Sequence, residues 1–444
     1  MTIGEPSPLQ SIEELRPDTR GIIRLPPGID VPLTPRVKRL IDSVPMRRLS
    51  HVSQLGLVQL VYPGACHSRF EHSLGVYGTA VEFLRRLSSD RRFAEAVSHA
   101  QATTFLAAAL MHDVGHWPFC HPIEDLRLPN VERHESLARK TLTEGPVAEL
   151  LQRDWQLEGT QVADAIERQS QSPGERIVAS MLSGPIDVDK IDYLARDSLH
   201  AGVPYGRHFD APRLMASLCL NAAGDAIAIT DKGRTAAELM VFARYVMFSE
   251  VYWHHTVRAA TAMLQRGVFL LADRIDWPQL YSSTDSTLPP YLLELAAGTP
   301  AAELLSGLFG PERRLYKRLA EFSLAESPEA YQCLARRPYP WLHDFAHKLA
   351  LYLERETGER CAHHEILVDA PPVQTEVQCN IDVYFPRSGQ CRPLRDVSPV
   401  VDALAQRQFD DFVKRVRVYA HPRVAKRLVG VAIDKAITTI AECE

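Results

Sequence analysis

Histidine and aspartate recur in this chain at places where helices begin or end. His72 lies in Arg69–Phe70–Glu71–His72–Ser73–Leu74–Gly75, and His112 and Asp113 are adjacent where an alanine-rich apolar stretch gives way to Gly115–His116. A third piece, Ile186–Asp187–Val188–Asp189–Lys190–Ile191–Asp192–Tyr193, offers three carboxylates as a further ligand. Imidazole nitrogen with carboxylate oxygen is the donor mix of a borderline or hard divalent ion such as Mn, Fe, Mg or Zn. A carboxylate at the end of a buried helix needs a cation or hydrogen bonds to offset its desolvation. Arg69 lies one turn before His72 on the same side. A metal beside a guanidinium suits phosphate: the ion polarises the P–O bond and the arginine neutralises the oxygens. One His–Asp pair alone reads as core packing; three such pieces together read as a site.

Helices must position these pieces. Helical patterns run over Phe70–Leu87, Phe93–Met111, Glu132–Leu142, Val147–Trp155, Gln161–Arg168, Glu175–Leu182 and about Asp187–His200. Gly115 and Pro118 end the second of them, and His116 and His121 lie in and just after that loop, free to face a cleft. On the last helix Asp189, Tyr193 and Asp197 share one broad face, since 3.6 residues make a turn. Leu33–Leu55 reads as short helices broken near Pro45, and a long helix is expected from about Thr235 to Asp273. Gly21–Leu25 and Ala226–Thr230 have strand character, and Ser282–Thr287 reads as a linker before Pro289–Pro290. Short helices then continue to Glu356, with strands expected at Glu365–Asp369, Thr375–Phe385 and Phe412–Tyr419 and a final helix from Pro422. The expected fold is mainly α: a loose arm over 1–20, a helical core over 21–275, and a smaller α+β lobe over 276–444.

Bulk properties exclude several classes. The chain has 444 residues, 45% apolar and 24% charged, an ordinary globular composition. Its net charge of -5 argues against a protein that coats nucleic acid, so nucleic acid is an allowed partner that nothing indicates. No apolar run reaches the ~20 residues of a membrane span, and the first residues carry no apolar signal region. The eight cysteines form no C-x-x-C pair, which suits reduced thiols and a cytoplasmic location. The basic run Arg36, Lys38, Arg39, Arg47 and Arg48 reads as a solvated face.

The order H…HD…D, with its flanking residues, resembles the HD-domain phosphohydrolase superfamily. The passages YPGACHSRFEHSLGVYG, LMHDVGHWPFCH, RHES, IDVDKIDYLARDSLHAGV and VYWHHTVRA look like its dNTP triphosphohydrolase branch, which includes the SAM-and-HD-domain enzymes of vertebrates and bacterial relatives. The likeness covers about residues 20–270, and more weakly the lobe through EILVDAPP. It implies an HD-domain helical core whose metal ligands are His72, His112, Asp113 and Asp189, the carboxylate directly before Lys190 being preferred to Asp187 and Asp192. It places Arg69, His116, Lys190 and Tyr193 on phosphate oxygens, with additional Mg on the triphosphate. Asp197 meets the sugar hydroxyl, Gln54 and Leu55 touch the deoxyribose, and Tyr252 packs where a 2′-hydroxyl would project. His121 becomes the general acid that protonates the departing 5′ oxygen, with Glu124 at i+3 in place of the family's usual aspartate and His134 extending the relay.

Two further positions depart from the pattern. Trp253 stands where the vertebrate enzymes have glutamine. Ser50 stands where an arginine of their regulatory guanine-nucleotide site is expected, near Asp42, Arg47 and Arg48, which bears on whether a nucleotide activator exists. The implied activity is hydrolysis of a dNTP to deoxynucleoside and triphosphate by a homo-oligomer, a dimer or tetramer. The alternatives are an HD phosphohydrolase acting on a cyclic nucleotide, a (p)ppGpp-like nucleotide or a monophosphate, and a nucleotide- or single-stranded nucleic-acid-binding module without turnover.

Overall fold

Capping chemistry sets the helices that carry the ligands. Ser68 accepts a hydrogen bond from the Glu71 amide (3.2 Å) and starts the Arg69–Leu87 helix, so His72 falls in its first turn. Ser98 and Gln101 form a reciprocal capping box that starts His99–Met111, and His112 closes that helix. Asp187 accepts from the Lys190 amide (2.7 Å) and starts Val188–Ala201, which ends on Gly202 at φ 71°. The computed structural model describes residues 8–16, 21–372, 380–406, 413–428 and 430–441. In it the Arg69–Leu87 helix packs against both of the others, which brings three separate sequence pieces to one place.

The strands form three small sheets. β1 (Ile22–Leu25) and β2 (Ile29–Pro32) make an antiparallel hairpin beside the Arg69–Leu87 helix. β3 (Leu218–Leu220) and β4 (Ile227–Thr230) make a second hairpin. β5 (Lys317–Phe322), β6 (Ile366–Asp369) and β9 (Val416–Ala420) form an antiparallel sheet in the order β5-β9-β6, with β9 buried throughout. β7 (Asp382–Phe385) and β8 (Gln390–Pro393) complete the second hairpin's sheet, β7 running parallel to β4 with Ile229 opposite Val383.

Three apolar clusters underlie this arrangement. The first joins the N-terminal helices, and it also takes in Ile381, Val383, Leu394 and Val401. The second sets Trp117, Cys120 and Ile123 against Met263, Leu264 and Leu304. The third fills the lobe around Phe345, Leu349 and Ile437. The lobe is therefore real but not contiguous in sequence: residues 380–404 leave it and pack with the N-terminal half. A boundary at residue 275 misses that return, because the β4–β7 ladder is a long-range pairing with no local signal.

Other expectations need correction. Residues 8–16 are not a loose arm: two short turns bury Leu9, Ile12 and Glu14, the last held by Arg36 and Thr34. The expected Phe93–Met111 helix is two, Arg91–Ala96 and His99–Met111, because Val97 and Ser98 are extended. The expected Thr235–Asp273 helix is also two, Arg234–Met247 and His255–Leu271, parted by a wide π-type turn at Phe248–Tyr252 and an extended His254. The short helices expected to break near Pro45 are Pro35–Ile41 and Val44–Leu49, with Pro45 in the first turn of the second. Ser282–Thr287 is no linker: Asp285 Oδ2 accepts from the Ser53 amide at 2.8 Å. β5 was not expected, and the final helix is split into Pro422–Ala425 and Ile433–Ala441. The expected strand residues Thr375–Cys379 and Phe412 lie outside the described residues. Among the described residues no helix is long and apolar enough to cross a membrane.

Candidate active site

His72, His112, Asp113 and Asp189 converge. His72 Nε2 lies 3.0 Å from Asp189 Oδ1 and 3.3 Å from His112 Nε2. His112 Nε2 is 3.4 Å from Asp113 Oδ1 and 3.9 Å from Asp189 Oδ1. The other ring nitrogens are already engaged. His112 Nδ1 donates to the Ala109 carbonyl at 2.9 Å, and His72 Nδ1 donates to Asp192 Oδ2 at 2.9 Å. Each imidazole thus turns Nε2 inward, as a carboxylate or carbonyl behind a ligating histidine does. Asp192, which accepts from His72 Nδ1, also accepts from Arg196 Nε at 2.9 Å and Arg196 Nη2 at 2.7 Å. Of the three carboxylates open from sequence, Asp187 is spent on its helix cap and Asp192 on His72, which leaves Asp189 facing the imidazoles.

The charges around these atoms favour a cation. Burial opposes a charge on His72, yet Asp189 and Asp192 raise its pKa to about 10. Burial would likewise raise Asp113, but the imidazoles around it and the Arg69 guanidinium hold it well below the usual carboxylate range. His72, His112 and Asp189 each bring one donor atom within 4.8 Å of the others, and Asp113 adjoins them through His112, a donor set suited to a divalent ion.

A second group adjoins the quartet. Arg69 Nη1 donates to Asp113 Oδ2 at 2.8 Å. His116 Nδ1 lies 3.3 Å from Asp113 Oδ1, and His116 Nε2 lies 3.4 Å from His121 Nε2. Burial and the neighbouring Arg69 hold His116 neutral, well below its ordinary pKa. Glu124 takes the His134 amide at 2.7 Å and His134 Nδ1 at 3.0 Å, and its Oε2 is 3.7 Å from His121 Nδ1. Burial pushes Glu124 up, but His121 and His134 outweigh it and keep the carboxylate ionised. The His121 side chain is 61% exposed, in contrast to the buried His116.

The quartet and Arg69, His116, His121 and His134 line one cleft of about 680 Å³ together with Gln54 and Tyr193. Gln54 Oε1 and Arg69 Nε are buried there without a hydrogen-bond partner among the described residues. Asp197 and Tyr252 stand behind this lining. The Tyr252 hydroxyl donates to Asp197 Oδ2 at 2.6 Å, His67 Nε2 meets Asp197 Oδ1 at 3.0 Å, and the Tyr252 ring lies 6.5 Å from that of Tyr193. Lys190 and Leu55 are placed differently. The Lys190 ammonium is held by Asp187 Oδ2 at 2.5 Å, and Leu55 packs against the core at the start of the Gly56–Leu60 turn.

Several cleft residues were not foreseen. Arg133 and Ser136 lie within the quoted RHES passage, so a signal existed; Glu167 and Arg168 end a helix with no motif to mark them. Arg48 is not on a solvated face. Half-buried, it donates to the carbonyls of His116 (2.6 Å) and Ser283 (3.4 Å), tying the histidine loop to a distant segment.

A histidine–aspartate quartet at the meeting of three helices, with an arginine and a histidine relay alongside, defines a metal-dependent phosphohydrolase of HD type. Comparison with known proteins agrees: the HD domain model matches residues 69–197, and the HD associated region matches residues 209–439. This chain belongs to the HD-domain phosphohydrolase superfamily. It is similar to an uncharacterized protein of Methanocaldococcus jannaschii (32% identical over 267 residues, 59% of this chain and 53% of that one). It is also similar to the uncharacterized protein YwfO of Bacillus subtilis (34% over 228 residues, 51% and 50%). The deoxynucleoside triphosphate triphosphohydrolase SAMHD1 of Danio rerio is 28% identical over 297 residues, 60% of this chain and 47% of that one. The chain thus spans about half the length of these curated relatives. A hypothetical protein of Aquifex aeolicus shares the fold with a TM-score of 0.70 at 24% identity, over 95% of this chain and 99% of that one.

Proposed function

We propose that this protein hydrolyses deoxynucleoside triphosphates to deoxynucleoside and triphosphate. The observation that carries this is the unbroken series from Asp113 through His116, His121 and Glu124 to His134, which sets a partly exposed imidazole beside the quartet. A divalent ion held by His72, His112, Asp113 and Asp189 would polarise the P–O bonds and make water a nucleophile at neutral pH. Arg69 is aimed at the phosphates from the quartet's edge. Water oxygen bonds to the α-phosphorus and releases a proton to solvent, the bond from that phosphorus to the 5′ oxygen breaks, and His121 gives that oxygen its proton. Glu124 supports the charged imidazole that donates. On the sugar side, Asp197 and Tyr252 sit within reach of Tyr193, and a ribose 2′-hydroxyl would meet the Tyr252 ring. Lys190 reaches a phosphate only by leaving Asp187. The similarity to the Danio rerio triphosphohydrolase supports the substrate class, and the resemblance extends to a dimer or tetramer.

The test is turnover of each dNTP and NTP with Mn or Mg, products being separated by chromatography, beside His112→Ala with Asp113→Ala. Deoxynucleoside and triphosphate, absent with the double variant, are the expected products. A diphosphate or monophosphate product would move the cleaved bond and overturn the proposal, as would no turnover even with mixed nucleotides as activators.

A further inference from the structure

The hydrolase reading uses His116, His121 and His134 but leaves a fourth donor in their midst without a role. Cys120 opens the short Cys120–Glu124 helix, is 1% exposed, and is a free thiol. Its Sγ and one nitrogen from each of the three histidines all lie within 4.8 Å of one another. We propose that Cys120, His116, His121 and His134 form a second metal site, selective for a thiophilic ion of the zinc class and distinct from the quartet.

The orientation of the rings supports this beyond mere proximity. Glu124 holds His134 by Nδ1 at 3.0 Å and stands 3.7 Å from His121 Nδ1, so both rings turn their Nε2 edges away from it. His116 does the same against Asp113, its Nδ1 3.3 Å from Oδ1, and its Nε2 lies 3.4 Å from that of His121. The centroids of the His116 and His134 rings are 4.0 Å apart, and those of His121 and His134 are 5.2 Å apart at 90°. A carboxylate behind each imidazole is the usual outer shell of a ligating histidine. Three imidazoles and one thiolate make a tetrahedral set whose donor atoms sit about 3.3–3.8 Å apart around bonds of about 2.0–2.3 Å. A contraction of about an ångström or less closes the cluster to that size. The donor sets also divide the ions: two nitrogens and two oxygens in the quartet suit harder ions, and the sulfur selects softer ones. On binding, the Cys120 S–H bond breaks, its proton leaves to solvent, and a sulfur–metal bond forms with no change of oxidation state. On the hydrolase reading, an ion there takes the His121 lone pair, so its binding would stop proton donation; the site itself does not depend on that reading.

Cobalt(II) is the probe, added to the whole chain without nucleotide. The wild type, Cys120→Ser, and the double variant His112→Ala with Asp113→Ala are compared for bound metal and for the sulfur-to-cobalt absorption band, with circular dichroism to check folding. The expected result is a sulfur-to-cobalt band in wild type and in the double variant. Cys120→Ser should lack that band, bind one cobalt fewer per chain, and keep the ion of the quartet. No such band in wild type at excess cobalt, or a band and metal count unchanged by Cys120→Ser, would overturn the proposal.

Discussion

Glycine at position 75 is fixed by two side chains rather than by its own backbone. A Cβ there would come within 2.0 Å of Asp192 Oδ1 and 2.1 Å of Arg196 Nη2, the pair that orients His72. Gly75→Ala must displace that pair, so metal affinity at the quartet should fall about 10- to 100-fold, as when an outer-shell partner is lost. Isothermal titration with Mn reads this directly, and an unchanged affinity would show that Asp192 does not set the ring. Glu124 is a positioning residue of the same kind, since it holds both His121 and His134. Glu124→Gln keeps an acceptor but loses the charge, and kcat should fall about 10- to 100-fold with KM nearly constant, part of what a general acid supplies. The pH profile of kcat should shift with it; a purely structural role would leave that profile in place.

The lobe's sheet carries its own charge clasp. Arg417 stands opposite Glu321 on β5 and Asp369 on β6, and Glu321 also receives Arg415 and Arg318. Burial raises the Glu321 carboxyl, but Arg417, Arg318 and Arg415 together pull it from 4.5 to about 2. A carboxylate whose pKa is lowered on folding contributes stability that is complete above 4.5 and is lost as pH falls towards 2. The Tm of wild type should therefore drop more steeply between pH 5 and pH 3 than that of Glu321→Gln, by scanning calorimetry. Parallel slopes would remove this residue from the acid response. How far such elements could be read from sequence varied with their physics. Two of the three helices that meet at the site, Arg69–Leu87 and Val188–Ala201, were legible from their helical patterning, whereas the third was expected as one helix over Phe93–Met111 and is two. The break at Trp253–His254 was not, since neither Gly nor Pro marks it. It is set by tertiary contacts, with the Arg258 guanidinium stacked 4.3 Å over the Trp253 ring and paired to Asp369 of β6 at 2.5 Å. Asp192 was weighed as an alternative ligand to Asp189, and its bonds to Arg196 and to His72 Nδ1 depend on side-chain positions that the sequence does not display.

Considered as one body, the chain closes its catalytic half with late residues. β4 lacks its second neighbour until β7 arrives, and Ile381, Val383, Leu394 and Val401 belong to the first core. The histidine loop likewise rests on the His255–Leu271 helix, where Gln265 donates to the Pro122 carbonyl at 2.9 Å, and on residues near Leu304. A fragment covering 21–275 should therefore unfold at lower temperature than the whole chain, with a broadened transition and exposed apolar surface. Circular dichroism melting and dye binding check this; a sharp transition at the whole chain's Tm would show that the return segment is dispensable. The same β4–β7 pairing has a consequence during synthesis. Some 150 residues separate the two strands, which at about 5–20 residues per second is roughly 8–30 s of translation. Through that interval the nascent chain displays an unpaired strand edge, open to a neighbouring polysome's copy of the same strand. Soluble yield is then expected to depend on elongation speed and on chaperone supply.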